Sequence, residues 1–358
     1  MVRVLIVDDS PVAQQLMAFV LGQDPEITVI GIAQNGEEAI QAVRDKRPDI
    51  VTMDINMPVM NGLEATRRIM KTMPVPIVIV TGNENIIEVV TSFAAMGAGA
   101  VTMMARPPGL KNPEFENSAM TLRNVVKTYA KINLVRGYPT KTGASTGPAQ
   151  LTEELRIKPQ RDQAKIVAIG ASTGGPAVLQ TRLSGFLKTF PLPVVIVQHI
   201  AQGFTEGLTS WLDTTTGFPV HMAVLGEELL PGHAYIAPEG FQMGVTDSDQ
   251  VTLLHLDQER GICPSVAYLF RSVREVYADQ AIAILLTGMG RDGADELKNL
   301  KDAGAITIAQ DEYSSVVFGM PGEAIRQGGA TYILSPEKIV DTLNKIVHSG
   351  GDDPVTIS

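Results

Sequence analysis

DIVTMDINMPVMNGLEATRRIM, residues Asp49 to Met70, passes from a short strand through an acid and a turn into a helix. Ile50–Met53 is apolar or β-branched throughout, as a pleated strand favours, and Asp54 closes it. Pro58 and Gly62 punctuate the turn, and from Gly62 to Met73 the apolar residues recur at helical spacing. A strand that is apolar on both faces belongs to a parallel sheet covered by helices on each side. The unit repeats around this stretch. Strands are expected at Val2–Val7, Ile27–Ile32, Ile77–Val80 and Ala100–Met103, with a further helical pattern over Ile86–Met96. Five units predict an N-terminal doubly wound five-stranded parallel domain, α/β in class, over residues 1–130.

The rhythm breaks between Gly137 and Arg161, where YPTKTGASTGPAQ carries no apolar periodicity, and residues 131–163 read as a linker. Beyond it a second doubly wound α/β domain is expected over 164–350. Its buried strands are Lys165–Ile169, Val194–Val197, Ala281–Leu286 and Ala305–Ala309, and its helices Pro176–Leu187, Val266–Tyr277 and Ala294–Ala303. The sheet should be mostly parallel. Shorter, more polar runs between Pro219 and Leu256 read as an antiparallel insertion. GASTG occurs twice, and only the copy at Gly170–Gly174 follows a strand.

Composition narrows the function classes. The 358 residues exceed what one core usually holds. A net charge of −10 argues against a nucleic-acid binder, which needs clustered Lys and Arg. With Cys263 as the single cysteine, no internal disulfide can form, which fits a reducing compartment. No apolar run approaches the roughly 20 residues that span a bilayer, and MVRVLIVDDS is no secretory signal. A cytoplasmic protein without membrane insertion is expected.

Asp8 and Asp9 close the first strand and Asp54 the third. In an open parallel sheet these ends meet at the switch point where ligands bind. Taken singly, each acid reads as well as a helix cap. Together their repulsion calls for a divalent cation, and Mg²⁺ suits such oxygens. A carboxylate held there can accept a phosphoryl group, with the Thr81 hydroxyl in reach of a phosphate oxygen. On Asp49 to Met70 in particular, the first 125 residues resemble the response-regulator receiver family. The resemblance implies Asp54 as phosphoacceptor, Asp8, Asp9 and the Asn56 main-chain carbonyl as metal ligands, Thr81 as the switch hydroxyl, and a chemotaxis histidine kinase as phosphodonor. Arg106 stands where receivers usually carry Lys, and Met103 where they carry an aromatic residue. Arg is a planar fork and Lys a point charge, so that exchange bears on the switch.

In the second domain, strand Lys165–Ile169 runs into Gly170-Ala171-Ser172-Thr173-Gly174-Gly175 and then a helix, matching G-x-S-x-G. Such a turn also cradles phosphates, and Ser172 or Thr173 reads alone as an N-cap. His199 follows a second strand. Asp292 lies in a glycine-rich turn after a third, where capping the next helix is its other reading. Serine needs a base, and the base a carboxylate to fix its tautomer. The order Ser–His–Asp differs from that of α/β-hydrolases.

IGASTGGP, VQHI with GFTEGL, ILLTGMGRDGA and AQDEYSSVVFGMPGEAI resemble the catalytic domain of the chemotaxis protein-glutamate methylesterases, over about residues 164–347. The resemblance implies Ser172 as nucleophile, His199 as general base, Asp292 as its orienting acid, the Met289 N–H in the oxyanion hole and Thr173 beside it. It implies hydrolysis of glutamate γ-methyl esters, and deamidation of glutamines, on methyl-accepting chemoreceptors, with no cofactor for that reaction. It further implies that the unphosphorylated receiver covers the active site, so that removing residues 1–160 raises basal activity. The family's P-S-V-D string reads Pro264-Ser265-Val266-Ala267, which is expected to lie clear of the triad. The rival reading is a receiver-controlled binding protein whose esterase-like domain is inactive.

Overall fold

The structure is a computed structural model that describes residues 1–82, 93–131, 155–157, 164–187, 189–255, 262–348 and 355–357. The chain divides into two compact units, Met1–Tyr138 and Pro139–Ser358.

In the first unit the chain runs through β1 (Val2–Val7), α1 (Pro11–Gly22), β2 (Ile27–Ala33), α2 (Gly36–Lys46), β3 (Ile50–Met53), α3 (Gly62–Thr72), β4 (Ile77–Thr81), β5 (Thr102–Ala105) and α4 (Phe115–Tyr129). The sheet order is β2-β1-β3-β4-β5 with every pair parallel. Side-chain oxygens fix the helix starts: Asn35 accepts from Glu38 N–H at 3.0 Å and Asn61 from Glu64 N–H at 2.9 Å. Gly62 is obligatory, because a Cβ there would strike the Asp54 main-chain oxygen. The helix therefore begins hard against the strand end that carries Asp54. β5 begins two residues later than the expected Ala100–Met103. Ala100 N–H is still closing the preceding helix on Ala95, through Gly99 at φ +113°. The expected helix over Ile86–Met96 lies largely outside the described residues.

The second unit holds β6 (Leu155–Ile157), β7 (Ile166–Ala171), α5 (Gly175–Gly185), β8 (Val194–Gln198), α6 (Thr205–Thr216), β9 (Val220–Met222), β10 (Ala234–Ile236), β11 (Gln242–Val245), β12 (Val251–Leu254), α7 (Val266–Tyr277), β13 (Ala281–Leu285), α8 (Ala294–Asp302), β14 (Ile306–Gln310), α9 (Met320–Arg326), β15 (Tyr332–Leu334), α10 (Pro336–His348) and β16 (Val355–Ile357). Seven strands form one sheet, β15-β14-β13-β7-β8-β10-β9, parallel at every pair. The expected antiparallel insertion is smaller than the span Pro219–Leu256. Among the described strands of that span, β11 and β12 alone pair antiparallel, while β9 and β10 extend the parallel sheet. The reason is legible in β10, whose Ala234, Tyr235 and Ile236 are all buried, as a strand covered on both faces requires. The hairpin lays Met243, Val245 and Val251 into one core with Phe270, Val273 and Tyr277 of α7. Most of the expected linker lies outside the described residues. Within it, Leu155–Ile157 is a strand rather than free chain, paired antiparallel with β16.

Candidate active site

β7, β8 and β13 are neighbours at the centre of the sheet. Ala171 of β7 pairs with Gln198 of β8, so Ser172 and His199 follow side by side at the carboxyl ends, and His199 N–H donates to Ala171 O at 2.9 Å. Ser172 sits on a tight turn. Its N–H donates to Thr287 O at 3.0 Å, its carbonyl accepts from Gly175 N–H at 2.8 Å, and Gly174 turns the chain at φ +79° into α5. A side chain at Gly174 would also collide with Val316.

The imidazole of His199 is bonded through Nε2 to Asp292 Oδ2 at 2.8 Å. The Asp292 side chain is 8% exposed and takes three further donors: Ser265 Oγ at 3.0 Å, Val266 N–H at 2.7 Å and Ala267 N–H at 3.0 Å. These groups are the N-cap and first turn of α7. Pro264–Ala267 therefore does not lie clear of the triad. It supplies the anion site that orients the acid, at a helix N-terminus where partial positive charge gathers. Burial pushes the Asp292 carboxyl up, but the His199 ring and the Ala267 and Val266 N–H groups outweigh it. The net value falls below the ordinary 3.8. The alternative role, capping α8, is not what Asp292 does. The N-cap of that helix is Gly293, and no side chain caps it.

Met289 lies on the turn after β13, half exposed. Gly288 lets this turn approach Ser172, since a Cβ there would stand 2.7 Å from Ser172 Cβ. Among the described residues no hydrogen bond engages the Met289 N–H. Thr173 is buried, with its carbonyl accepting from Thr287 Oγ1 at 2.9 Å. The string Ala309–Ile325, which carries no chemistry of its own, is the brace for this turn. Gln310 Oε1 accepts from Thr287 N–H at 2.8 Å, Val317 N–H donates to Thr287 Oγ1 at 3.0 Å, and Gly319 and Met320 N–H groups converge on Gly288 O at 3.0 and 2.9 Å. Sequence reasoning missed Ser265, Thr287 and Gln310 as site residues. Thr287 and Gln310 act through main-chain groups and Ser265 through its hydroxyl on Asp292, long-range contacts that spacing does not encode.

In the first unit Asp8, Asp9 and Asp54 bring one oxygen each to within 4.8 Å of one another. Burial and the neighbouring Asp8 push the Asp54 carboxyl up to about 6, and burial raises Asp8 as well. Arg106 reaches into this cluster, with Nη2 at 3.0 Å from Asp8 and 3.4 Å from Asp54. Its Nε is buried without a partner among the described residues. Thr81 is buried at the end of β4 and Met103 is buried within β5, while Asn56 is exposed on the turn after Asp54. Three clustered hard oxygens, two of them on carboxyls that burial holds above the usual range, fit a hard divalent cation.

The chain matches the family described as CheB methylesterase over residues 167–343 and the response regulator receiver domain over residues 4–111. It is 49% identical to the protein-glutamate methylesterase/protein-glutamine glutaminase of Nitrosospira multiformis over 98% of this chain and 99% of that one. It is 50% identical to a protein of the same name from Geobacter metallireducens, over 97% and 99%. Among solved structures it is similar to the CheB methylesterase catalytic domain of Thermotoga maritima at 40% identity and a TM-score of 0.50, covering 51% of this chain and 99% of that one.

Proposed function

The chain belongs to the CheB methylesterase family, with a receiver domain ahead of the hydrolase, and from that membership we propose that it hydrolyses glutamate γ-methyl esters on methyl-accepting chemoreceptors. The observation that carries this reading is the His199–Asp292 pair beside Ser172 at the carboxyl ends of adjacent strands. Because Nε2 is engaged by Asp292, Nδ1 is the nitrogen left to take the Ser172 proton. The Ser172 oxygen attacks the ester carbonyl as its proton passes to His199. The oxyanion gathers charge that the Met289 N–H is free to bind, with Thr173 lining the same corner. Collapse expels methanol, which takes the proton from His199. Water then attacks the acyl-enzyme by the same route and releases the glutamate carboxylate. A glutamine side chain enters the same cycle with ammonia as leaving group. The hydrolase needs no cofactor.

The receiver regulates this chemistry by phosphorylation of Asp54 from a chemotaxis histidine kinase. Mg²⁺ would be held by Asp8, Asp9, Asp54 and the Asn56 carbonyl, and when bound it offsets the charge of the incoming phosphoryl oxygens. Thr81 and Arg106 would grip the phosphoryl group once Asp54 carries it. The methylated segments of the receptors are cytoplasmic, and the protein acts there. No helix among the described residues is long and apolar enough to cross a membrane. An inactive, purely binding domain finds no support in a site whose acid and base are paired.

Methanol release from methylated receptor membranes tests the reading, comparing the wild-type chain with Ser172→Ala, with and without a small-molecule phosphodonor. Release should fall by a factor of at least about 10³ in the variant, by comparison with serine hydrolases in general, and rise with phosphodonor in the wild type. Release that survives Ser172→Ala would sink the assignment.

A further inference from the structure

Gln198 ends β8, and the residue is 3% exposed. Burying a carboxamide is costly unless its polar ends are answered. One end is answered twice. Nε2 donates to the main-chain oxygen of Ser172 and to that of His199, both at 2.8 Å. The other end, Oε1, is buried without a donor among the described residues. It lies over Gly175, where any side chain would strike it. Reversing the amide would set one carbonyl oxygen against two others, which is worse. The carboxamide therefore stands as a pure double donor, kept at the expense of an orphaned acceptor. Such a group in a native interior calls for an explanation.

The reason lies in what the strands alone leave unfixed. Ladder pairing of β7 and β8 ends at Ala171 and Gln198, with one more bond from His199 N–H to Ala171 O. Past that point Ser172 bends into its turn and His199 into a loop. Among the described residues no hydrogen bond joins the Ser172 hydroxyl to the imidazole. We propose that Gln198 is a positioning residue of the hydrolase, one carboxamide tying the main chain at the nucleophile to the main chain at the base and so setting their separation. This rests on Ser172 and His199 holding those roles. A second effect follows from peptide planarity. With the Ser172 carbonyl held by Gln198 and by Gly175 N–H, the Thr173 N–H of the same peptide must point the opposite way, away from both. A drift of about 1 Å between reacting groups costs on the order of 10²-fold in rate.

The test uses the full-length chain and a fluorophosphonate, which reports the reactivity of an activated serine without any receptor, with thermal unfolding followed in parallel and Ser172→Ala as the blank. Gln198→Met keeps the volume and removes both donors. It should remain folded and label at least about tenfold more slowly. Its kcat for methanol release should fall by the same factor while KM stays within about twofold, because bound substrate does not touch Gln198. Gln198→Glu is the second variant. Ionised, it donates nothing; protonated, it regains one donor. Its rate relative to wild type should therefore climb as pH is lowered from about 8 to about 5.5, whereas that of Gln198→Met stays flat. Either variant folded and labelling at the wild-type rate overturns the proposal, as does a flat Gln198→Glu ratio where Gln198→Met fails to fold. Labelling that survives Ser172→Ala overturns both the proposal and the hydrolase assignment. Wild-type labelling without methanol release would count against the substrate only, and the labelling rates would still decide Gln198.

Discussion

At Asp292 four donors converge on two oxygens: the His199 ring, the Ser265 hydroxyl and the N–H groups of Val266 and Ala267. The ionised form is the one all four favour, so the carboxyl is held below its ordinary 3.8 against the opposing effect of burial. A depressed acid stabilises the fold above its unfolded pKa, and that contribution is lost as pH falls through the folded value. Asp292→Asn presents one oxygen and one N–H₂ to the same four donors, so at least one contact becomes donor against donor. At pH 7 the second unit should lose about 1–2 kcal/mol, read from its thermal midpoint. The difference should begin to shrink as pH falls below about 3.8 and close only below the lower folded value, where both side chains are neutral. Hydrolysis should fall by about 10⁴-fold, since the imidazole loses the partner that fixes its tautomer. A variant that keeps its rate would remove Asp292 from the mechanism. Arg106 poses a residue-scale question in the first unit. Its guanidinium stands between Asp8 and Asp54, as a cation would, and its reach and fork distinguish it from the family's usual lysine.

Among the elements, α5 and α10 hold the least expected side chain. Arg182 of α5 is 1% exposed, and none of its three guanidinium nitrogens has a partner among the described residues. Burial pushes it down to about 10, with Glu337 and Asp341 pulling the other way, so it remains charged at neutral pH. The helices are otherwise well matched. Gly185 admits Val340 where a Cβ would come within 2.7 Å, and Asn344 Nδ2 donates to Gly185 O at 3.0 Å at the end of α5. An uncompensated buried charge is a net cost, and Glu337 and Asp341 are exposed enough to do without it. Arg182→Met should therefore leave hydrolysis unchanged and stabilise the second unit by roughly 1–3 kcal/mol, seen as a higher midpoint in calorimetry. A lower midpoint would mean that the guanidinium has a partner the helix pair alone does not supply. Nothing in the sequence flags this residue, because Arg182 falls at a position of α5 that reads as well exposed as buried. By contrast α7 is legible to the residue, since Ser265 at the N-cap precedes apolar residues at helical spacing. What escaped reading there was its target. A helix N-terminus declares its polarity in sequence but not which acid it faces, and Asp292 is 26 positions from Val266.

Across the whole molecule, the strands that carry chemistry were readable because each is largely apolar or β-branched towards its carboxyl end and runs into a polar residue: Val7 into Asp8, Met53 into Asp54, Ala171 into Ser172, Gln198 into His199. Strand order was inferable at the first unit's switch point, and local signals faded where strands are three residues long, as in β9 and β10. The braces around Thr287 and Gln310 were invisible, since long-range main-chain contacts leave no periodicity. The least legible segment is the one between the two units, and it decides how the regulatory reading is tested. Removing residues 1–160 would take Leu155–Ile157 with the receiver and strip β16 of its antiparallel partner. A change in rate would then mix loss of the receiver with damage to the edge of the hydrolase. Removing residues 1–138 follows the division of the chain at Tyr138 and keeps that pairing. If the unphosphorylated receiver restrains the hydrolase, the 139–358 fragment should release methanol faster than the full chain without phosphodonor. It should also ignore phosphodonor altogether, its midpoint matching the second unit of the intact protein. Phosphodonor should bring the full chain towards the fragment's rate, because a phosphorylated receiver and a missing one then leave the same site open. Were the folded fragment no faster than the unphosphorylated chain, phosphorylation would have to act by stimulating the site rather than by releasing it.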